Sequence, residues 1–239
     1  MKKIKDGALF ISDAHDNAKR DGFYQFLKKI KNSKDKPPQL FLMGDMFDLL
    51  VGQISYTIQH YKNTIDLINQ LSKEIEIIYF EGNHDFNLAK LFPNVTIIPI
   101  KNQPTLYTFH HHTISLCHGD IYEEEHYLRY TKIIRNPFLL TILNIFDNTF
   151  NNFLSKKILL TQQQKFICRK QTFFHNFIKQ KLQKYDIGDS KINFVCEGHH
   201  HQNEEFIFES LRYKNFSSFA CDKSFYKISF TDKIIFKEL

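Results

Sequence analysis

Five short apolar runs in this chain each lead directly into side chains that can bind cations. ALFIS (8–12) is followed by Asp13 and His15, QLFLM (39–43) by Asp45 and Asp48, and IEIIYF (75–80) by Asn83, His84 and Asp85. TISLC (113–117) is followed by His118 and Asp120, and INFVC (192–196) by His199, His200 and His201. A mixed set of carboxylate, imidazole and amide oxygen suits Mn²⁺, Fe²⁺ or Zn²⁺ better than Ca²⁺. The seven groups Asp13, His15, Asp45, Asn83, His118, His199 and His201 are too many for one tetrahedral ion and fit two ions that share a carboxylate. In an extended segment residues i and i+2 point the same way, so Asp13 and His15 would approach one ion together. The same spacing pairs His199 with His201 and turns His200 away. Gly44, Gly82, Gly119 and Gly198 would permit sharp turns at these ends. A lone GD or HGD is a turn signature. The specificity comes from the ordered recurrence, and Asp85 and Asp120 read as turn or capping residues beside it.

These residues need a frame. The five runs read as strands buried on both faces, and helical patterns lie between some of them. Ile54, Ile58, Tyr61, Ile65 and Ile68 form one apolar stripe, and GFYQFLKKIK (22–31) reads as a helix ended before Pro37 and Pro38. The alternation predicts an α/β fold, with ligands bound past the carboxyl ends of the strands. From about residue 123 to 186 the pattern is helical, and it reads as an insertion within a single domain spanning 1–239. Within it Pro137 stands at a first helical turn, and Leu139, Ile142, Leu143, Phe146, Phe150, Phe153 and Leu154 are expected to line one side. After residue 205, alternating runs predict a closing β meander. The three histidines at 110–112 read as a hairpin, not a metal site.

Charge sets the insertion apart. The chain carries a formal +6, yet residues 126–185 hold 11 Lys and Arg against one acid, Asp147, while the remainder has 21 basic and 25 acidic residues. A basic, Phe-rich amphipathic segment fits an anionic membrane surface. It could also hold nucleic acid electrostatically, but it has no clear stacking platforms. The longest apolar run, FLLTILNIF (138–146), falls short of the roughly 20 residues a spanning helix needs. Asp6 and Asp13 interrupt any signal-peptide core, so a soluble cytoplasmic chain is expected. Cys117, Cys168, Cys196 and Cys221 form no CxxC pair and read as buried reduced thiols, with neither a disulfide nor a zinc framework.

The ordered set D-x-H, GD, GNHD, H and GHHH resembles the signature of the calcineurin-like metallophosphoesterases over residues 8–201. The resemblance implies a sandwich of two β-sheets flanked by helices. It implies that Asp13, His15, Asp45 and His201 hold one divalent metal and that Asp45, Asn83, His118 and His199 hold a second, with Asp45 bridging. Mn²⁺ is the expected ion, with Fe²⁺ or Zn²⁺ as alternatives. His84 would face the substrate phosphate as acid or charge stabiliser, and the Asp48 carboxylate would orient His84. Such a pair of ions clamps a phosphate and activates water for in-line attack.

Within that group, HGDIYEEEHYLRYTKIIRNPFL (118–139) resembles the UDP-2,3-diacylglucosamine pyrophosphatases of lipid A biosynthesis. The likeness lies in Glu123 and Glu124, in Tyr127-Leu128-Arg129-Tyr130, in Arg135-Asn136-Pro137, and in GDMFD. It implies hydrolysis of a UDP-sugar lipid to UMP and 2,3-diacylglucosamine 1-phosphate beneath a helical cap whose groove holds acyl chains. Asn83, His84, Glu124, Arg129 and Arg135 would contact substrate. The enzyme would be cytoplasmic and peripheral to the inner membrane, with no nucleic acid and no obligate protein partner. Those enzymes read GNRD and GHTH where this chain reads GNHD and GHHH. A nucleotide phosphodiesterase or nuclease of the same superfamily is the other activity the motifs admit.

Overall fold

A computed structural model describes residues 1–185 and 192–239 of the chain. Residue 186, the end expected for the helical insertion, lies outside them. Among the described residues the strands form two six-stranded sheets and a two-stranded ribbon. The first sheet runs Ile234–Glu238, Tyr226–Phe230, Leu9–Ile11, Gln39–Leu42, Glu76–Phe80, Thr96–Ile98. The second runs Lys2–Lys3, Thr105–Phe109, His112–Cys117, Phe194–Glu197, Leu211–Asn215, Glu204–Phe208. All five apolar runs are strands. Three lie side by side and parallel in the first sheet, and two are parallel neighbours in the second.

The inner faces of the sheets meet in one core. Phe10, Phe41, Ile78 and Phe80 from the first face Tyr107, Ile114, Leu116 and Phe194 from the second. Phe10 and Phe41 stack with ring centroids 4.4 Å apart. Burying each such side chain contributes about 1.5–3 kcal/mol. Helices Gly22–Asn32 and Lys62–Leu71 bury Phe23, Phe26, Leu27, Ile65 and Ile68 on the outer face of the first sheet. Helix Phe174–Leu182 covers the second, against Val195 and Tyr213. The architecture is therefore a mixed α/β sandwich, two sheets flanked by helices. Aligning the parallel strands brings all five carboxyl ends to one edge of the molecule.

The predicted meander divides between the sheets. The hairpin Glu204–Phe208/Leu211–Asn215 joins the second sheet, where Leu211–Asn215 runs parallel to Phe194–Glu197. The hairpin Tyr226–Phe230/Ile234–Glu238 crosses to the first and pairs antiparallel with Leu9–Ile11. Alternating hydrophobicity specifies a strand but not the sheet it joins.

Between His112–Cys117 and Phe194–Glu197 the described residues form four helices, Glu125–Ile134, Pro137–Thr149, Phe153–Gln164 and Phe174–Leu182. Asn136 caps the second by accepting from the amides of Phe138 and Leu139 at 2.9 and 3.1 Å, with Pro137 in the first turn. The single apolar side expected there is broken. The chain turns after Thr149, with Asn151 and Asn152 both left-handed, and Phe146, Phe150 and Phe153 are exposed. Among the described residues no helix is long and apolar enough to cross a membrane.

The cysteine reading holds for Cys117 and Cys196, which are free and buried, and fails for the other two. Cys168 and Cys221 form a disulfide across 53 residues of sequence. It fastens the segment after helix Phe153–Gln164 to the short helix Phe219–Asp222. Residues so distant in sequence leave no spacing signal.

Candidate metal centre

Seven predicted ligands converge at the shared carboxyl edge of the sheets. Ligand-type atoms of Asp13, His15 and His201 lie within 4.8 Å of one another, and so do those of Asp45, His118 and His199. Asn83 joins the second group, its Oδ1 3.4 Å from His118 Nε2. The two groups adjoin through the first sheet, where the His15 amide donates to the Asp45 carbonyl at 3.0 Å.

The backbone achieves this in an unpredicted way. Asp13, His15, Asp45, His199 and His201 all adopt left-handed φ, between 43° and 61°. The strands end before them, so the shared direction of Asp13 and His15 comes from left-handed residues, not from an extended segment. Each such non-glycine residue costs on the order of 1 kcal/mol or more, a cost tolerated where surrounding contacts fix the conformation. Those contacts are visible: the carboxylate of Asp85 accepts from the amides of Asp45 at 3.0 Å and Met46 at 2.6 Å, and from the Tyr79 hydroxyl at 2.6 Å. Asp85 is thus a brace for the GD loop, not a ligand. Gly82 is needed for close approach and not for a turn, because a Cβ there would collide with the Asp45 carboxylate.

Three histidines are oriented alike. The Nδ1–H of His84 donates to the Asp48 carbonyl at 2.7 Å, that of His118 to the Met43 carbonyl at 2.8 Å, and that of His201 to the Ile167 carbonyl at 2.8 Å. Each carbonyl fixes the tautomer and leaves Nε2 free toward the site, the usual outer support of a metal-binding imidazole. His118 Nε2 lies 3.4 Å from Asp45 Oδ2, and His201 Nε2 lies 3.1 Å from Asp13 Oδ1. Neither ring nitrogen of buried His15 has a hydrogen-bond partner, although Nδ1 lies 3.5 Å from Asp48 Oδ1. An orphaned buried imidazole beside two carboxylates is the environment a cation would complete.

The electrostatics agree. Burial pushes the His15 imidazole down toward its neutral form, and it pushes His199 well down, helped by His200 and His118. Burial alone would raise the Asp45 carboxyl, but His118 and His84 outweigh it and hold Asp45 well below the ordinary value. The negative charge of Asp45 in turn overcomes burial at His118 and raises it well above its ordinary value. The centre is therefore a cluster of carboxylate charge and imidazole nitrogen enclosed in protein.

The role expected for the Asp48 side chain is not the one found. Its carboxylate turns from His84 toward His15 and accepts from Arg20 Nη2 at 2.8 and 2.9 Å and from Asn17 Nδ2 at 2.6 Å. Only its main-chain carbonyl meets His84. Glu124 and Arg129 are not brought to the site. Glu124 starts helix Glu125–Ile134 next to His126, and Arg129 pairs with Glu125 at 2.6 Å on the surface. The helical period turns Tyr127, Thr131 and Ile134 inward, leaves Tyr130 exposed at the cavity's edge and turns Arg129 outward. Arg135 is buried as a brace, its Nη2 donating to the Gly82 carbonyl at 2.9 Å and to Asp120 at 3.2 Å. Its Nε and Nη1 remain without partners, as does the Tyr127 hydroxyl. His200 points away from the centre, against Phe174 and Phe177, as expected. His110 and His111 form the hairpin turn, with His110 stacked on Phe230 at 4.4 Å.

A family model described as calcineurin-like phosphoesterase matches residues 8–203, the span that carries every one of these ligands. The chain belongs to the calcineurin-like phosphoesterases. Enzymes of this family use divalent metals, and the two ligand groups are where such ions would sit in this calcineurin-like phosphoesterase. A UDP-2,3-diacylglucosamine hydrolase from Pectobacterium carotovorum is 23% identical over 203 residues, 81% of each chain. One from Wigglesworthia glossinidia brevipalpis is 22% identical over 216 residues, 86% of this chain and 84% of its own. Among solved structures, a predicted phosphoesterase from Streptococcus pneumoniae superposes with a TM-score of 0.47 at 12% identity, covering 99% of this chain and 90% of its own.

Sequence reading missed several residues around the centre. Gln162, Lys165 and Ile167 close it from the helical side, in a cavity of about 120 Å³ shared with His15, Asp45, Asn83, His84 and His201. Asn83, His84 and Gln162 also line a second cavity of about 290 Å³ with an apolar wall that includes Leu49, Val51, Ile54, Phe86, Leu140 and Ile158. No spacing rule marks Gln162 or Lys165. The basic character of the segment was the one available signal.

Proposed function

We propose that this protein hydrolyses the pyrophosphate of a UDP-diacylglucosamine-type lipid, adding water across the bond to give UMP and the diacylated sugar 1-phosphate. The observation that carries the proposal is the junction of two cavities at Asn83 and His84, a ligand-lined one and an apolar one. A lipid-linked phosphoester needs both within one molecule. Asp13, His15, Asp45 and His201 would hold one divalent ion, Mn²⁺ in our reading, and Asp45, Asn83, His118 and His199 the other. Bound there, the pair would polarise the phosphate and supply water acidic enough to react near neutral pH.

The chain's own residues do the rest. His84, with Nδ1–H committed to the Asp48 carbonyl, turns Nε2 toward the phosphate, where the doubly protonated ring would donate and stabilise charge on its oxygens. Tyr127 brings an unpartnered hydroxyl to the cavity that Asn83 lines, and Arg135 holds the Gly82 carbonyl just before Asn83. Helices Glu125–Ile134, Pro137–Thr149 and Phe153–Gln164 form a cap over the site, and the apolar cavity takes acyl chain. Outside, Phe138, Phe146, Phe150, Phe153, Phe166 and Phe173 are exposed, on a segment that also carries Lys156, Lys157 and Lys170. This surface suits the anionic inner-membrane face where such a substrate resides. Purified protein with Mn²⁺ should release UMP from the UDP-lipid. Turnover of a generic diester without UMP from the lipid would reject this substrate, and strand cleavage of nucleic acid lost on Asp45→Asn would favour a nuclease.

A further inference from the structure

Helix Phe174–Leu182 buries Phe174, Ile178, Lys181 and Leu182. Three of these are apolar and cover the second sheet. The fourth is a lysine whose side chain is 3% exposed. Lys181 Nζ donates to the Gly119 carbonyl at 2.5 Å, to Glu197 Oε2 at 3.1 Å and to His200 Nε2 at 3.3 Å. Glu197 is itself held by the hydroxyls of Tyr185 and Tyr213 and by the Cys117 thiol.

Stability alone is a poor account of this network. A buried ion pair recovers little beyond its desolvation cost, and an apolar side chain of similar volume would serve the helix face as well. What distinguishes Lys181 is where its acceptors lie. Gly119 directly follows His118. His200 sits between His199 and His201, and Glu197 lies two residues before His199. The two loops touch: a Cβ on Gly119 would stand 3.1 Å from the Cβ of His199. His118 and His199 rings lie with centroids 5.1 Å apart. Lys181 thus spans the two histidines of the Asp45 group from behind, through the backbone of one loop and the side chains of the other.

We infer that Lys181 is a positioning residue that sets the spacing of His118 and His199, and so the occupancy of the second metal site, from the helix behind the second sheet. The inference rests on the two-metal reading above. It gives helix Phe174–Leu182 a task at the centre besides covering the second sheet.

The test uses the full-length protein and Mn²⁺ alone. The variants are the charge-balanced pair Lys181→Met/Glu197→Gln, the single Lys181→Arg, and Ile178→Ala as a packing control on the same helix. Titration calorimetry counts the ions, and electron paramagnetic resonance reports whether two Mn²⁺ are spin-coupled. The wild type should bind two ions with a coupled spectrum. The double variant should keep its first ion, weaken the second by about 10–100-fold, and show isolated Mn²⁺ in place of the coupled signal. Lys181→Arg, whose planar fork cannot place one nitrogen on all three acceptors, should lose part of the second affinity, and it decides the matter if the double variant does not fold. Ile178→Ala should lower the melting temperature and keep both ions. Wild-type affinity for the second ion with an intact coupled signal in the Lys181 variants would overturn the inference. A wild type that binds no ion pair would overturn the two-metal reading itself.

Discussion

The geometry of Asp48 makes a prediction that separates two roles. Were its carboxylate the orienter of His84, Asp48→Asn would damage proton donation and leave metal binding alone. The structure has that carboxylate between Arg20, Asn17 and His15, so the substitution should act on the metal. An amide loses the charge and can satisfy only one of the donors with its single oxygen, while its NH₂ faces another. Losing one charge-assisted bond from Arg20, at 2.8 Å, costs about 1.5–3 kcal/mol. For a domain of this size that corresponds to a fall in melting temperature of roughly 3–12 °C. Removing the carboxylate 3.5 Å behind His15 Nδ1 should weaken the ion held by Asp13, His15 and His201 by about 10–100-fold, or roughly 1.4–2.8 kcal/mol. Mn²⁺ titration of Asp48→Asn beside the wild type measures this, and excess Mn²⁺ should restore much of the hydrolysis rate. Unchanged Mn²⁺ affinity together with a kcat loss as deep as that of His84→Ala would refute the reasoning and return Asp48 to His84.

Three further outcomes follow from the same geometry. His84→Ala should lower kcat by about 10²–10⁴ while leaving the Mn²⁺ count unchanged, since its ring belongs to neither ligand group. Mn²⁺ binding should release roughly one to two protons near neutral pH and weaken as pH falls. Burial pushes His118 and His201 down, but Asp45 and Asp13 respectively outweigh it and hold both above the ordinary imidazole value, so their protons must leave before an ion binds. The slope of calorimetric heat against buffer ionisation enthalpy reads this number, and a slope of zero would contradict it. Cys168→Ser should lower stability in nonreducing buffer by up to about 4 kcal/mol for a 53-residue loop and have no effect when dithiothreitol is present in both samples.

The seven candidate ligands were legible in the sequence because each is a local fact: a polar, cation-binding residue placed just after a buried strand. Parallel pairing of Leu9–Ile11, Gln39–Leu42 and Glu76–Phe80 follows from apolar runs that need both faces covered, and it gathers their ends without further instruction. The residues that orient those ligands were not legible. Arg20 reaches Asp48 across 28 positions, Lys181 reaches Gly119 across 62, and Cys168 reaches Cys221 across 53, and no periodicity encodes such pairings. Even the short D-x-H motif hid its conformation: Asp and His enter the left-handed region more readily than most residues, but at Asp13 and His15 that backbone is held by bonds to the carbonyls of Gly44 and Asp45, distant in sequence. Composition and order thus determined which atoms could meet a cation. Packing of two sheets and a helical segment decided how each is held, because the partner that fixes a side chain is chosen by proximity in space.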